Sequence, residues 1–472
     1  MDCHDFKKYG HDIKGSVCVL GKGVTGNAVC DYLKKRTVTI SDLDFLDGDE
    51  ISDKKHYDLT IISPGISQFS EIYKKASECS DEVISEIEFA FRESELDSKW
   101  IAITGTNGKT TTTALTNHIL QSCGFPSVAV GNIGDAAISK VDGVSKIYVL
   151  ECSSYQLASI SRFEPDAATI LNITPDHLTW HNGFENYCAA KLNIFKNFGE
   201  GNYAILPMES IRAIENLGLS RFLERPTQGL SLISKKCDQG LSRFLEKPYV
   251  EFVKAHENIN FYQQILDIES SMQIQGSHNI ENAYVALALC INMGVGLLDA
   301  LDAIKTFKPL EHRIEPCGEI NGIKFYNDSK ATNVDSTIKA LSAFKSDFRN
   351  MHLLLGGKDK LSDLRPLVEA VKNSAVKSVY IYGEARSRFL EEFRTVEASQ
   401  QRTVTNFDNS DLFTITEAKN MKEAFSQAYK CASPGDVILL SPACASFDEF
   451  NSFEHRGEVF KELVEDLKEG LS

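Results

Sequence analysis

The stretch at 101–113, IAITGTNGKTTTT, holds the residue types that bind a polyphosphate. Gly105 and Gly108 let the backbone approach an anion and aim several N–H groups at it. Lys109 adds a cation, and the Thr110 hydroxyl can ligate a magnesium ion. The spacing is unusual. A Walker A loop reads G-x-x-x-x-G-K-[ST], and Ile103 stands where its first glycine belongs. A glycine turn whose threonine caps a helix is the competing explanation. Against it, an apolar run precedes the loop and a helical stretch, Thr111 to Ser122, follows it, which is the context a phosphate site requires.

The elements that must position this loop can be read from alternation along the chain. Ser16 to Leu20 is an apolar run that ends in Gly21-Lys-Gly-Val-Thr-Gly26. A helical stretch, NAVCDYLKKR, follows, and then a strand expected at Val38 to Ile40 that closes on Ser41-Asp42. Taken alone, this is the grammar of a dinucleotide-binding domain, although many doubly wound domains use such a turn only to bring helix and sheet close. A polar connection, Arg92 to Lys99, leads into a strand at Trp100 to Thr104. Further strands at Ile147 to Glu151 and Ala167 to Ile173 and a helix at Ile280 to Met293 extend a central α/β region to about Phe307, with Pro309 as linker. A third alternation has strands at Met351 to Gly356, Ser378 to Tyr382 and Asp436 to Leu440. The expected fold class is α/β, in three domains.

The 472-residue length agrees with that count, being more than one core usually serves. With 42% hydrophobic and 25% charged residues the chain has a globular composition. A net charge of -16 argues against nucleic acid or an anionic membrane as partner, so phosphate must be held by local loops and a few cations. The first residues, MDCHDFKKYGHDIKG, lack the apolar segment of a signal peptide, and the run Ala283 to Leu298 is broken by Asn292, Gly294 and Gly296. A cytoplasmic protein is expected. The 12 cysteines include no C-x-x-C pair and read as small buried hydrophobes. Gly218-Leu-Ser-Arg-Phe-Leu-Glu-Arg-Pro226 recurs at 240–248 as GLSRFLEKP, two copies where a solenoid needs more, and it reads as a local duplication.

The shortened loop, Gly105-Thr-Asn-Gly-Lys-Thr110, resembles the ATP loop of the Mur ligase and folylpolyglutamate synthetase superfamily, which joins amino acids to carboxylates. The likeness continues through Gly131-Asn-Ile-Gly134, Leu150-Glu-Cys-Ser-Ser-Tyr-Gln156, Asn172-Ile-Thr-Pro-Asp-His177, Lys191 and Gly276-Ser-His-Asn-Ile-Glu-Asn282. Beyond the linker, Leu310-Glu-His-Arg313, Asn327-Asp-Ser-Lys-Ala-Thr-Asn333, Leu354-Leu-Gly-Gly-Lys-Asp-Lys360 and Ser441-Pro-Ala-Cys-Ala-Ser446 resemble the members that add D-glutamate to UDP-N-acetylmuramoyl-L-alanine. The resemblance implies a Rossmann-like UDP-binding domain at 1–93, a central P-loop-type ATPase domain at 94–309 and a Rossmann-like amino-acid-binding domain at 310–472. It also implies a cytoplasmic monomer working in peptidoglycan synthesis.

Residue roles follow from the same resemblance. Gly105, Thr106, Asn107, Gly108, Lys109, Thr110 and Thr111 would hold ATP, with Asn279 and Asn282 near adenine and Arg313 and Asp328 arriving from the third domain. Magnesium would be held by Thr110, Glu151, His177 and Lys191, the last as a carbamate, an anion formed from its neutral amine and carbon dioxide. Lys330 would be a further cation at the reacting groups. Gly23, Val24, Thr25 and Gly26, with Ser63, Pro64, Gly65 and Asn132, would contact the UDP substrate. Lys360 and Thr332 would hold the α-carboxylate of D-glutamate, with Ser446, Phe447 and Phe453 around its side chain. Thr179 and Trp180 depart from the aspartate and arginine that often occupy these places, and Leu206-Pro-Met-Glu-Ser210 departs from an Asn-x-Asp-Asp turn.

Two other readings are a nicotinamide-dependent oxidoreductase built on the first glycine turn and a non-enzymatic nucleotide-binding module. The first leaves the loop at Gly105 to Thr110 and the third domain unexplained. The second leaves the magnesium-type residues without a purpose. Another member of the superfamily is the remaining alternative. Against it, Asn327 to Asn333 lacks the tyrosine-alanine-histidine signature expected of the neighbouring ligases.

Overall fold

A computed structural model describes residues 15–35, 40–52, 54–199, 201–216, 272, 277–308, 310–344, 348–400 and 414–470. The repeated segments at 218–226 and 240–248, and Pro309, lie outside the described residues. The chain forms two compact units, divided on the C-terminal side at Lys308. The first unit contains two sheets and the second contains one.

The first sheet is β1 (Gly15–Leu20), β2 (Ile40–Leu46), β3 (Leu59–Ile62) and β4 (Val83–Ser85), all parallel, in the order β2-β1-β3-β4. The second is β5 (Lys99–Thr104), β6 (Ser127–Gly131), β7 (Ile147–Glu151), β8 (Ala167–Ile170) and β9 (Tyr203–Ile205), parallel, ordered β6-β7-β5-β8-β9. β5 is central and buried on both faces, which explains the continuous apolar run Trp100 to Ile103. The third sheet comprises β10 (Glu315–Ile320), β11 (Ile323–Asn327), β12 (Met351–Gly356), β13 (Val376–Tyr382), β14 (Thr414–Glu417) and β15 (Val437–Ala443), in the order β10-β11-β15-β12-β13-β14. Only β10 is antiparallel there, joined to β11 by a hairpin. In open parallel sheets ligands gather at the carboxyl ends of strands. Glu151, Asn132 and the loop after Thr104 all occupy such ends.

Among the strands whose bounds differ from the sequence reading, two adjoin the glycine turns. β2 runs over Ile40–Leu46, so Asp42 lies inside it and not after it. It is an edge strand, and its polar side chains are satisfied at one flank: Lys55 bonds Asp42 at 2.5 Å and Asp44 at 2.6 Å. The residue that follows β2 is Asp47, which accepts the Lys22 backbone N–H of the glycine turn at 3.2 Å. β8 ends at Ile170, before the expected Ile173, because Asn172 turns its amide toward the phosphate-type loop.

Within the first unit, helix Glu86–Glu93 links the two sheets through buried carboxylates. Glu88 accepts the backbone N–H groups of Ser161, Arg162 and Phe163 and the Arg92 guanidinium, whose other end forks onto Glu82. Glu86 accepts Ile138 N–H at 2.7 Å, and burial pushes its carboxyl up to about 7. A folded value above the unfolded one means that this group's stabilisation is complete below about pH 4.5 and is lost as pH rises to about 7. Glu86→Gln keeps the acceptor and removes the titration. Its thermal stability relative to the parent should therefore improve between pH 5 and pH 8 by roughly 3 kcal/mol. Parallel melting curves across that range would contradict this.

Candidate active site

The loop after β5 is built on backbone freedom. Gly105 and Gly108 have φ of 159° and 84°, and a Cβ on Gly108 would lie 2.7 Å from Asn282 Oδ1. Asn282 therefore packs directly against the loop, and Asn279 sits one turn earlier on the same helix, Ser277–Asn292. Asn172 staples the loop from the end of β8: its Oδ1 accepts Asn107 N–H at 2.8 Å and its Nδ2 donates to Asn107 O at 3.1 Å. Thr106 Oγ1 donates to Thr174 O at 3.0 Å, so the Tyr187 hydroxyl 2.8 Å away must donate to it. Gly108 starts helix Lys109–Ser122, in whose first turn Thr110 and Thr111 are buried. Lys109 Nζ folds back onto the carbonyls of Gly105 and Thr106, each at 2.9 Å.

Glu151 closes β7 and is 1% exposed. Its Oε1 accepts Asn132 Nδ2 at 3.0 Å, while Oε2 is buried without a hydrogen-bond partner. A buried carboxylate oxygen left unpaired is costly, and a cation is the natural complement. Among the described residues no cluster of three or more His, Cys, Asp and Glu side chains gathers as a metal site. Any ion at Glu151 must then draw on hydroxyl, water or phosphate oxygen as well, which is the ligand habit of magnesium. His177 follows β8 on exposed backbone at φ 54°, with Nε2 3.5 Å from Asp176 and its ring on Tyr155.

Lys191, on helix Phe184–Leu192, is only 1% exposed, so it is not the solvated lysine that helices usually carry. Its Nζ donates to Gly105 O at 2.8 Å and lies 4.7 Å from the Tyr187 ring centre. Burial, and after it the charge of Lys109, hold the amine well below the ordinary lysine range. The neutral amine is thus favoured beside the phosphate-type loop.

The second unit assembles the other expected residues. Asp328, after β11, accepts Ser441 Oγ at 2.7 Å, and burial pushes its carboxyl up to about 7 against the pull of that hydrogen bond and of Arg313. Lys330 places Nζ 5.0 Å from the Phe453 ring, and Thr332 N–H bonds to Lys330 O. Lys358 bridges Ala445 in antiparallel register, which joins the loop after β12, bearing Lys360, to the segment after β15 that leads into Ser446 and Phe447. Ser446 is buried and Phe447 is 66% exposed.

Sequence reasoning missed Arg456. It is fully buried and donates to Ser329 Oγ and O, to Cys444 O and to Ala445 O at 2.8–3.3 Å. One guanidinium thereby ties the loop after β11, the segment after β15 and helix Phe453–Glu469. His312, also missed, is held by Asn327 Nδ2 at 2.9 Å next to Arg313.

In the first sheet, Gly21 has φ 107° and its missing Cβ would fall 2.5 Å from Ser63 Cβ, so the glycine turn and Ser63 adjoin. Gly23 caps helix Val24–Lys34, and Val24 is 84% exposed. Gly26 packs on Gly21 O, Thr25 is half-buried, and Pro64 and Gly65 follow β3. Asn132, the remaining residue of this set, donates to Glu151.

Residues 103–290 match the family model of the Mur ligase middle domain, and 312–444 that of the Mur ligase, glutamate ligase domain. The chain is 36% identical over 484 aligned positions to a UDP-N-acetylmuramoylalanine–D-glutamate ligase of Koribacter versatilis, covering 97% of this chain and 99% of that one. A ligase of the same name from Thermoanaerobacter pseudethanolicus is also 36% identical, covering 97% and 100%. Among solved structures, a pseudomurein peptide ligase type C from Methanothermus fervidus shares the fold at TM-score 0.54 and 15% identity, covering 96% and 99%. MurF ligase from Thermotoga maritima, solved in complex with ADP, does so at TM-score 0.51 and 14% identity, covering 89% and 97%. Identity at this level across nearly the whole length of both chains has one consequence: this chain belongs to the Mur ligase family, among its UDP-N-acetylmuramoylalanine–D-glutamate ligases.

Proposed function

We propose that the chain ligates D-glutamate to UDP-N-acetylmuramoyl-L-alanine at the expense of ATP, releasing ADP and phosphate, in the cytoplasmic assembly of peptidoglycan precursor. The observation that carries this reading is the full-length identity to D-glutamate ligases. A carboxylate is a poor electrophile with oxide as its leaving group. Transfer of the γ-phosphoryl group makes an acyl phosphate, the amine of D-glutamate attacks the carbonyl, and the tetrahedral intermediate expels phosphate. Charge collects on phosphoryl oxygens, so positioned donors and cations serve better than a covalent nucleophile.

In this reading residues 1–93 bind the UDP substrate through Gly23 to Gly26 and Ser63 to Gly65, with Asn132 at its reacting end. Residues 94–309 hold ATP on Gly105 to Thr111, Asn279 and Asn282, and Lys109 leaves the loop carbonyls for phosphate. Thr110, Glu151, His177 and carbamylated Lys191 would hold magnesium, which suits the unpaired Glu151 oxygen. When bound, magnesium would offset phosphoryl charge. Residues 310–472 supply Arg313, Asp328 and Lys330 to the nucleotide and reacting groups, and Thr332, Lys360, Ser446, Phe447 and Phe453 to D-glutamate. No helix among the described residues is long and apolar enough to cross a membrane. In this reading the enzyme acts as a monomer.

The test is phosphate release with ATP, magnesium and UDP-N-acetylmuramoyl-L-alanine while the amino acid is varied. Release should require D-glutamate. Equal rates with L-glutamate or a diamino acid would overturn the reading.

A further inference from the structure

His181 has no part in the reaction as described, yet its burial is complete. It ends the short helix Leu178–His181, four positions after His177, in the stretch where Trp180 departs from the family habit. Its Nε2 lies 2.8 Å from Ser154 Oγ, and its Nδ1 is buried without a hydrogen-bond partner. Ser154 is 3% exposed and stands three positions after Glu151. The imidazole stacks on Tyr155 at 5.6 Å and packs against Trp180 and Tyr187. An aromatic slot of this kind fixes the ring plane, and the single hydrogen bond then fixes its distance from Ser154. A phenylalanine would fill the slot as well, so packing alone gives no reason for a polar ring with one nitrogen unsatisfied.

We infer that His181 is a positioning residue whose hydrogen bond to Ser154 sets the separation between the end of β7, which carries Glu151, and the segment after β8 that carries His177. The inference rests on the proposed magnesium roles of those two residues and extends them to groups behind the site. Side chains that orient ligands in this way typically change metal affinity or activity by about 10- to 100-fold when removed. His181→Phe keeps the aromatic packing and deletes the bond, Ser154→Ala deletes it from the other side, and His181→Gln can restore it. Manganese binding to the ADP complex, followed by electron paramagnetic resonance, reads the metal site directly, and the magnesium dependence of turnover reads its use.

Both single deletions should weaken manganese binding by about tenfold, and the double deletion should add little further. His181→Gln should recover most of the loss. KM for D-glutamate should stay within about twofold in all of them, because the bond acts on the metal loops alone. Unchanged manganese binding in Ser154→Ala, a variant with no packing to lose, would overturn the inference. So would additive losses in the double variant. A parent enzyme that fails to use D-glutamate would instead overturn the proposed function, so the two failures are distinguishable.

Discussion

Lys191→Ala should lose ligase activity by at least about a hundredfold while keeping its fold, and short carboxylates such as acetate should restore part of the rate. An amine that is 1% exposed, 2.8 Å from Gly105 O and held well below the ordinary lysine range is readily neutral. A neutral amine attacks carbon dioxide through its lone pair, forming an N–C bond and releasing one proton, and the product is an anionic oxygen donor. The side chain then turns from a neutral amine into an anion beside the proposed phosphate loop. Truncation leaves a small buried space lined by Tyr187 and the loop, which a carboxylate can enter. Circular dichroism should show an intact fold, and carbon-13 NMR of the parent under labelled carbon dioxide should show a carbamate signal that the variant lacks. Full activity of Lys191→Ala would return the residue to a plain buried lysine.

Lys360→Ala should raise KM for D-glutamate far more than KM for ATP. Truncating one partner of a desolvated charge pair typically costs about 2 to 5 kcal/mol, which corresponds to a rise of roughly 30-fold or more. Lys360 lies in the loop after β12, which the antiparallel Lys358–Ala445 bridge joins to the segment after β15 at the carboxyl end of the third sheet. Parallel changes in both KM values, measured by steady-state kinetics at saturating co-substrate, would remove Lys360 from the glutamate pocket.

The phosphate-type loop was legible because its grammar is local. Strand, glycines, lysine and helix follow one another, and the structure places Gly105, Gly108 and Lys109 as that order demands. β2 runs beyond its expected end because Ser41 and Asp42 read as the close of the strand, and an edge position with Lys55 beside it makes the aspartates acceptable within one. The end of β8 was overrun because apolar content alone could not show that Asn172 is diverted to Asn107. Two of the Arg456 bonds reach more than a hundred residues upstream to Ser329, and no local pattern reports such a bond. Lys191 was singled out through family resemblance; its burial, which gives that choice a physical basis, belongs to the tertiary structure.

The central claim is that the carboxylate of UDP-N-acetylmuramoyl-L-alanine is activated by the γ-phosphoryl group of ATP before D-glutamate attacks. The most direct measurement starts from substrate labelled with oxygen-18 in that carboxylate and determines the isotope content of the phosphate released during ligation. An acyl phosphate hands one carboxylate oxygen to phosphate, so the account predicts one labelled oxygen in each phosphate and one retained in the amide carbonyl. Unlabelled phosphate accompanying stoichiometric ligation would contradict it.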